Sequence, residues 1–253
     1  MRIAVAGGTG LVGRHVVDVI RSAGHTPVVL ARSTGVDVTT GSGLDAALDG
    51  SERLIDVTNV TAMSRRAALR FFEASTRHLL EASARAGIDH LVALSIVGVD
   101  RVDLGYYAGK RRQEELLLES AVPITVLRAT QFHEFAEQMV QRAAIGPVVV
   151  LPRMLTQPVA AQEVAEELVR LALGEPLGTA PDFAGPEEHQ MPDLVRQLLR
   201  SRGSRRRVIP LRLPGAAARA AASGGLLPLT VGPRGRQTFA EWLEAQPDPA
   251  LQR

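Results

Sequence analysis

The stretch VAGGTGLVGRHVV, residues 5–17, decides the fold. A short apolar run, residues 3–6, meets glycines at 7, 10 and 13, and an apolar pattern with helical spacing begins beyond them. The reading is strand, tight turn, helix. Missing side chains at Gly7 and Gly10 let the backbone approach a pyrophosphate, and Gly13 lets the helix lie close on its strand. Leu11 and Val12, at the helix start, offer free N–H groups and the positive end of the helix dipole to an anion. An ordinary strand–helix turn would carry the same glycines without a ligand. No lysine follows them, which excludes the nucleoside-triphosphate P-loop.

The 253 residues suffice for one large α/β domain, or one domain with a small appendage. With 45% apolar and 22% charged residues the chain reads as a folded globule rather than a disordered one. Cysteine is absent, which excludes disulfides, thiolate nucleophiles and Cys-ligated zinc, and fits a cytoplasmic setting. No apolar run approaches the roughly 18 residues of a membrane span. The first strand starts at Met1 itself, so neither a signal peptide nor a membrane partner is expected.

The formal net charge is +2, yet the pI is about 9.6. Lys110 is the only lysine among 29 basic residues, and arginine stays protonated far above neutrality. The pI therefore reports the choice of basic residue, not a nucleic-acid partner. Aromatic residues, at 4%, do not interleave with the arginines as base-stacking surfaces require. Arg205-Arg206-Arg207, the densest charge run, reads as a solvated loop, with an acidic protein partner as the alternative. His15, His78 and His189 show no metal-ligand spacing, and no metal is expected. A small-molecule partner is the expectation; nothing in the sequence speaks to oligomeric state.

Along the chain, residues 11–23 read as the first helix, closed by Gly24, and 28–31 as the second strand. Arg32 falls about 20 residues after the glycines, where dinucleotide folds read the adenosine ribose. An arginine there favours the 2′-phosphate of NADP(H) over the free hydroxyl of NAD(H). Residues 34–43 are too short for a further helix and strand, so that corner of the sheet should be trimmed. A short helix is expected at 44–48 and a strand at 54–57, with Asn59 at its carboxyl end as a candidate cofactor contact. Helices at 64–86 and 108–120 alternate with strands at 90–94 and 124–128, and Ser95 stands at the tip of the former. This alternation predicts a doubly wound parallel sheet. Beyond residue 130 prolines break the pattern into short pieces, with helices expected at 132–143, 164–173, 192–200 and 239–245 and a strand at 148–151.

Tyr106 precedes Lys110 by four residues, which stacks the two on one helix face. A phenol with a pKa near 10 exchanges protons poorly at neutral pH, and a neighbouring ammonium draws it toward working range. Tyr106 and Tyr107 are the only tyrosines, so this pairing with the only lysine is informative; Tyr107 is the less favoured base. A Ser95 hydroxyl on the preceding strand could hold a substrate oxygen beside Tyr106.

Gly7-Thr9-Gly10-Gly13, Asp37-Val38, Ser95, Tyr106…Lys110 and Pro158-Val159-Ala160…Val164-Ala165 resemble the short-chain dehydrogenase/reductase superfamily. More closely they resemble its atypical, NmrA-like, NAD(P)-binding branch. The similarity continues through Leu127-Arg128-Ala129-Thr130-Gln131-Phe132, which matches the family's strand into the substrate region. The resemblance implies that Ser95 orients the carbonyl, Tyr106 donates the proton, and Lys110 binds the nicotinamide ribose while tuning Tyr106. It also implies that Thr9, Asp37 and Val38 join the cofactor site and that Thr130, Gln131, Phe132 and His133 lie at the substrate pocket, His133 packing or lining it. Many atypical members lack the tyrosine and act as dinucleotide sensors.

The expectation is a Rossmann-type core over residues 1–130 and a mixed region, 131–253, that partly returns to the core and forms a small substrate cap. The expected activity is NADPH-dependent reduction of a carbonyl or quinone-like small molecule. A non-catalytic redox sensor is the first rival, and a quinone reductase or isomerase working without Tyr106 the second.

Overall fold

The structure, a computed structural model, describes residues 1–61, 64–229 and 232–246. In chain order the elements are β1 Arg2–Ala6, α1 Leu11–Ser22, β2 Thr26–Leu30, α2 Leu44–Leu48, β3 Arg53–Asp56, α3 Arg65–Ala86, β4 His90–Ile96, α4 Gly105–Leu118 and β5 Ile124–Ala129. They continue as α5 Phe135–Ala143, β6 Ala144–Ile145, β7 Val148–Pro152, β8 Leu155–Thr156, α6 Ala161–Ala172, β9 Gly178–Thr179, β10 His189–Gln190, α7 Met191–Ser201, β11 Arg207–Leu211, α8 Ala216–Ala222 and α9 Phe239–Glu244. The chain divides into two compact units. The first comprises Met1–Asp100, Leu104–Arg128 and Ala161–Pro181, the second Arg101–Asp103, Ala129–Ala160 and Asp182–Arg253.

The first unit is built on a six-stranded sheet ordered β2-β1-β3-β4-β5-β9. β1 pairs in parallel with both β2 and β3, β3 with β4, and β5 with β9. Parallel neighbours need crossover connections, and the intervening helices supply them. Side chains alternate across the sheet. Ala4, Ala6, Leu54, Leu91 and Ala93 join Leu44, Leu79 and Leu117 of α2, α3 and α4 in one buried cluster. The alternate residues Ile3, Val5, Ile55 and Val92 are equally buried and belong to the face on which α1 and α6 lie. A sheet covered on both faces explains why β1 reads as a continuous apolar run. The strand order reverses between β1 and β3, and the crevice outside the carboxyl ends there is where such sheets take ligands.

Past β2 the chain makes only a single 3₁₀ turn, Arg32–Thr34, and an antiparallel bridge between Asp37 and Ser42 before α2. The corner is trimmed as its length requires, and β2 is left as the edge strand. Several boundaries differ from the sequence expectation. β2 spans Thr26–Leu30, starting two residues before the expected 28–31, and Arg32 falls on that turn. β4 runs through Ile96, so Ser95 lies within the strand rather than past its tip. α4 starts at Gly105, which puts Tyr106 in its first turn. α5 begins only at Phe135, because Phe132 bridges to Val159 and the His133 amide donates to the Val159 carbonyl at 3.1 Å.

The second unit holds a three-stranded sheet, β11-β7-β6, a two-stranded one, β10-β8, and helices α5, α7, α8 and α9. Met191, Leu194, Val195, Leu198 and Leu199 form the buried face of α7. Of the arginine run, Arg205 and Arg206 lie in an exposed loop, and Arg207, also exposed, opens β11, which pairs in parallel with β7. Pro210 is tolerated in β11 because that strand lies at a sheet edge. Among the described residues no helix is long and apolar enough to cross a membrane.

Candidate functional site

The glycine turn lies at the carboxyl end of β1. Gly7 has φ +81°, and a Cβ there would sit 2.9 Å from the Val57 carbonyl oxygen. A Cβ on Gly13 would fall 2.1 Å from the Gly7 oxygen, so only hydrogen fits between α1 and the turn. Gly10 caps α1 with no side-chain hydrogen bond, and no acidic residue occupies the first turn. The N–H groups of Leu11, Val12 and Gly13 therefore meet no capping side chain, which is the arrangement a pyrophosphate requires. Thr9 is exposed beside them, its carbonyl accepting from Arg14 Nη1 at 3.2 Å. The cradle fits a dinucleotide.

Arg32 is exposed on the 3₁₀ turn after β2. The Asp37 carboxylate accepts the Thr39 hydroxyl at 2.7 Å and the Thr39 amide at 2.8 Å. These bonds, with the charge of Arg32 adding to them, hold its pKa below the ordinary carboxylate value. The Val38 carbonyl accepts from His78 Nδ1 at 3.0 Å, tying the short corner to α3.

At the carboxyl ends of β3 and β4 stand two buried hydroxyls, Thr58 Oγ1 and Ser95 Oγ, with no hydrogen-bond partner among the described residues. Unsatisfied buried hydroxyls are rare and call for a physical reason. Asn59 is exposed, and its Oδ1 accepts from the Tyr106 hydroxyl at 2.8 Å and from the Val60 amide at 2.7 Å.

Tyr106 and Lys110 share a face of α4, but they are not joined as the four-residue spacing led us to expect. Lys110 is buried, 5% exposed, and its Nζ donates to the Leu94 carbonyl at 2.8 Å and to Gln113 Oε1 at 2.9 Å. The Phe72 ring lies 4.5 Å from the same ammonium and packs edge-on against Tyr106 at 5.7 Å, so it touches both partners. Burial pushes the lysine down to about 8, against the pull of Asp56 and Glu114. Burial, with Tyr107 adding to it, pushes the Tyr106 phenol above its usual value. The phenol is thus not drawn toward neutrality; it keeps its proton.

Local sequence makes this packing possible. A Cβ on Gly109 would lie 2.7 Å from Phe72 Cδ2 and 2.8 Å from Ala68, so this glycine brings α3 close enough for Phe72 to reach Lys110. Arg128 on β5 grips Glu114 of α4 through Nε–Oε1 at 3.0 Å and Nη2–Oε2 at 2.7 Å, and Asp100 at 3.0 Å. A two-pronged guanidinium–carboxylate pair fixes orientation as well as distance. Gln113 and Asp56, both buried beside Lys110, carried no signal in the sequence beyond being polar residues on core-facing positions.

The four residues expected at a substrate pocket fall in the second unit. Thr130 Oγ1 donates to the Gln157 carbonyl at 2.5 Å, and the Thr156 hydroxyl donates to Gln131 Oε1. His133 is 1% exposed, with Nε2 bonded to the Gln237 carbonyl at 3.2 Å and its ring among Phe239 and Trp242. Phe132 is held by its bridge to Val159. Among the described residues no group of three or more His, Cys, Asp or Glu side chains could hold a metal ion.

The fold is similar to that of solved short-chain dehydrogenase/reductase superfamily proteins, at low sequence identity. A superfamily protein from Agrobacterium tumefaciens with bound NAD superposes with a TM-score of 0.69 at 18% identity, over 96% of this chain and 95% of that one. An NADPH-dependent quinone oxidoreductase from Escherichia coli does so with a TM-score of 0.69 at 18% identity, over 96% and 98%. No protein-family model matches the sequence. Among curated proteins, a (4-alkanoyl-5-oxo-2,5-dihydrofuran-3-yl)methyl phosphate reductase of Streptomyces griseus subsp. griseus is 31% identical over 144 residues, 51% of this chain. The chain spans about half the length of this curated relative, 48%.

Proposed function

We propose that the protein is an NAD(P)H-dependent oxidoreductase that reduces the carbonyl or quinone-like carbon of a small molecule, with NADPH preferred. The observation that carries this reading is the buried Ser95 hydroxyl, without a hydrogen-bond partner among the described residues, at the carboxyl edge of the same sheet that ends in the glycine cradle. The reductase name of the Streptomyces relative and the NADPH-dependent oxidoreductase among the structural neighbours support it.

In this reading the turn of Gly7, Thr9, Gly10, Leu11, Val12 and Gly13 holds the pyrophosphate, Arg32 meets the 2′-phosphate, Asp37 and Val38 border the adenine, and Asn59, bonded to Tyr106, contacts the cofactor. The bound nicotinamide supplies the hydride. Ser95 donates a hydrogen bond to the substrate oxygen, stabilising the charge that grows there as the hydride arrives at carbon. Tyr106 then gives that oxygen its proton and recovers it from solvent. Burial keeps the phenol in its protonated form, the form that carries a proton to give. Lys110 contributes the ribose-side positive charge. Thr130, Gln131, Phe132 and His133 are the residues that this reading assigns to the substrate pocket.

The test is NADPH oxidation across a panel of ketones, aldehydes and quinones, with Tyr106→Phe as the control. Turnover should vanish in the variant while NADPH still binds. The inward turn of Lys110, away from any bond to Tyr106, favours one alternative: a non-catalytic NAD(P)-binding sensor, which would bind NADPH and stay inert over the whole panel.

A further inference from the structure

Gln113 lies three residues beyond Lys110, one turn along the same face of α4, and is 1% exposed. Its amide has only one workable direction. Nε2 donates to Asp56 Oδ2 at 2.8 Å, and a carboxylate only accepts, so Oε1 must face Lys110. Asp56 is pinned in turn, its Oδ1 accepting the Thr58 amide at 2.9 Å. A buried chain of contacts therefore runs from the backbone after β3, through Asp56 and Gln113, to the ammonium.

The charged groups acting on that ammonium are Asp56 on β3 and Glu114 on α4 itself. Glu114 is gripped by Arg128, which leaves Asp56 as the counter-charge connected to it. α3 contributes only the Phe72 ring here, and β4 the Leu94 carbonyl. Buried opposite charges are weak sources of net stability, because desolvation offsets their attraction. An amide placed between them keeps the lysine and the aspartate apart instead of letting them close into a contact pair.

We propose that Gln113, oriented by Asp56, is a positioning residue that holds the Lys110 ammonium against the Leu94 carbonyl, one residue from Ser95, and so sets where the chain's single amine meets the nicotinamide ribose. The inference rests on Lys110 being the ribose-side amine of the preceding section. Gln113 and Asp56 act through Lys110 and touch no reacting atom.

The solitary lysine makes the test direct. In the full chain grown with ¹³Cε-labelled lysine, one side-chain resonance reports Lys110 without any turnover. Gln113→Leu removes the acceptor and keeps the bulk. The resonance should move, its titration midpoint should fall by about one pH unit, and the NADPH Kd should rise about tenfold. The paired exchange Asp56→Asn with Gln113→Glu keeps the total charge and an acceptor on Lys110, but brings the carboxylate into contact with the ammonium. Its titration midpoint should rise above the parent's, while the NADPH Kd should return to within about twofold of the parent, because the amine is again held in place. Should the leucine variant fail to fold, Gln113→Asn, one methylene shorter, carries the same expectation. A resonance that does not move in these variants, even with a lowered melting temperature, overturns the proposal. A resonance that moves in the leucine variant, with a Kd that the paired exchange restores, upholds it even if no substrate is ever reduced, in which case the reductase reading fails alone; a Kd that the exchange leaves raised overturns it.

Discussion

The Tyr106 hydroxyl rests on the Asn59 side-chain oxygen at 2.8 Å, linking the first turn of α4 to the loop after β3. Asn59 Oδ1 accepts the Val60 amide as well, so the oxygen cannot rotate away without losing a second bond. The phenol therefore has a fixed direction before any ligand arrives. Asn59→Ala should free the ring, lowering kcat about tenfold through lost orientation. The exposed side chain should cost the fold only about 1 kcal/mol or less. Steady-state kinetics beside a urea titration separates the two effects: an unchanged kcat would remove Asn59 from the orienting role.

Gly13 faces the Gly7 carbonyl at a distance no methyl group can share. Gly13→Ala should force α1 off the turn, costing about 1–3 kcal/mol of stability by overpacking and weakening NADPH binding together with it. Isothermal binding and urea unfolding of the same variant check both. Retained affinity with unchanged stability would mean the turn does not hold the pyrophosphate.

Much of this was legible in the sequence for local reasons. The trimmed corner followed from counting residues between Arg32 and Leu44, and α3 from Ser64, whose hydroxyl accepts the Ala67 amide, and Gly87, at φ +69°. The common face of Tyr106 and Lys110 followed from helical spacing. What that spacing could not tell was which way the lysine turns. That depends on Phe72, Asp56 and Gln113, which reach it from another helix, another strand and the next turn, and on the small size of Gly109. The β11-β7-β6 sheet was hidden for a similar reason. Its edge strand begins in an arginine run and contains Pro210, both of which read as loop until β7 supplies the partner.

Arg32 stands on the turn after β2 with no carboxylate bonded to its guanidinium among the described residues, although the charge of Asp37 lies near enough to feel it. A guanidinium in that place can take a phosphate with two bonds. Arg32→Ala should raise the NADPH Kd about tenfold, a difference of about 1.4 kcal/mol, and leave NADH binding within about twofold. Fluorescence titration with both coenzymes decides it; equal losses for the two would assign Arg32 to general charge rather than to the 2′-phosphate.

His133 gives the second unit a pH dependence whose sign can be worked out. Burial pushes its pKa down to about 4 in the folded chain, against the pull of its bond to the Gln237 carbonyl, while the unfolded chain keeps the ordinary value of 6.5. As pH falls through 6.5 the unfolded chain takes up the proton first, so stability declines from there to about 4 and levels off below. The full span amounts to about 3 kcal/mol. His90, lowered by burial between Thr125 and the Gly174 carbonyl, acts in the same direction. His133→Phe keeps the ring among Phe239 and Trp242 and removes the titration. Urea midpoints of the variant should therefore fall less steeply than the parent's between pH 7 and about 4.5. Parallel curves for the two proteins would mean that His133 is not the group whose protonation opens this unit.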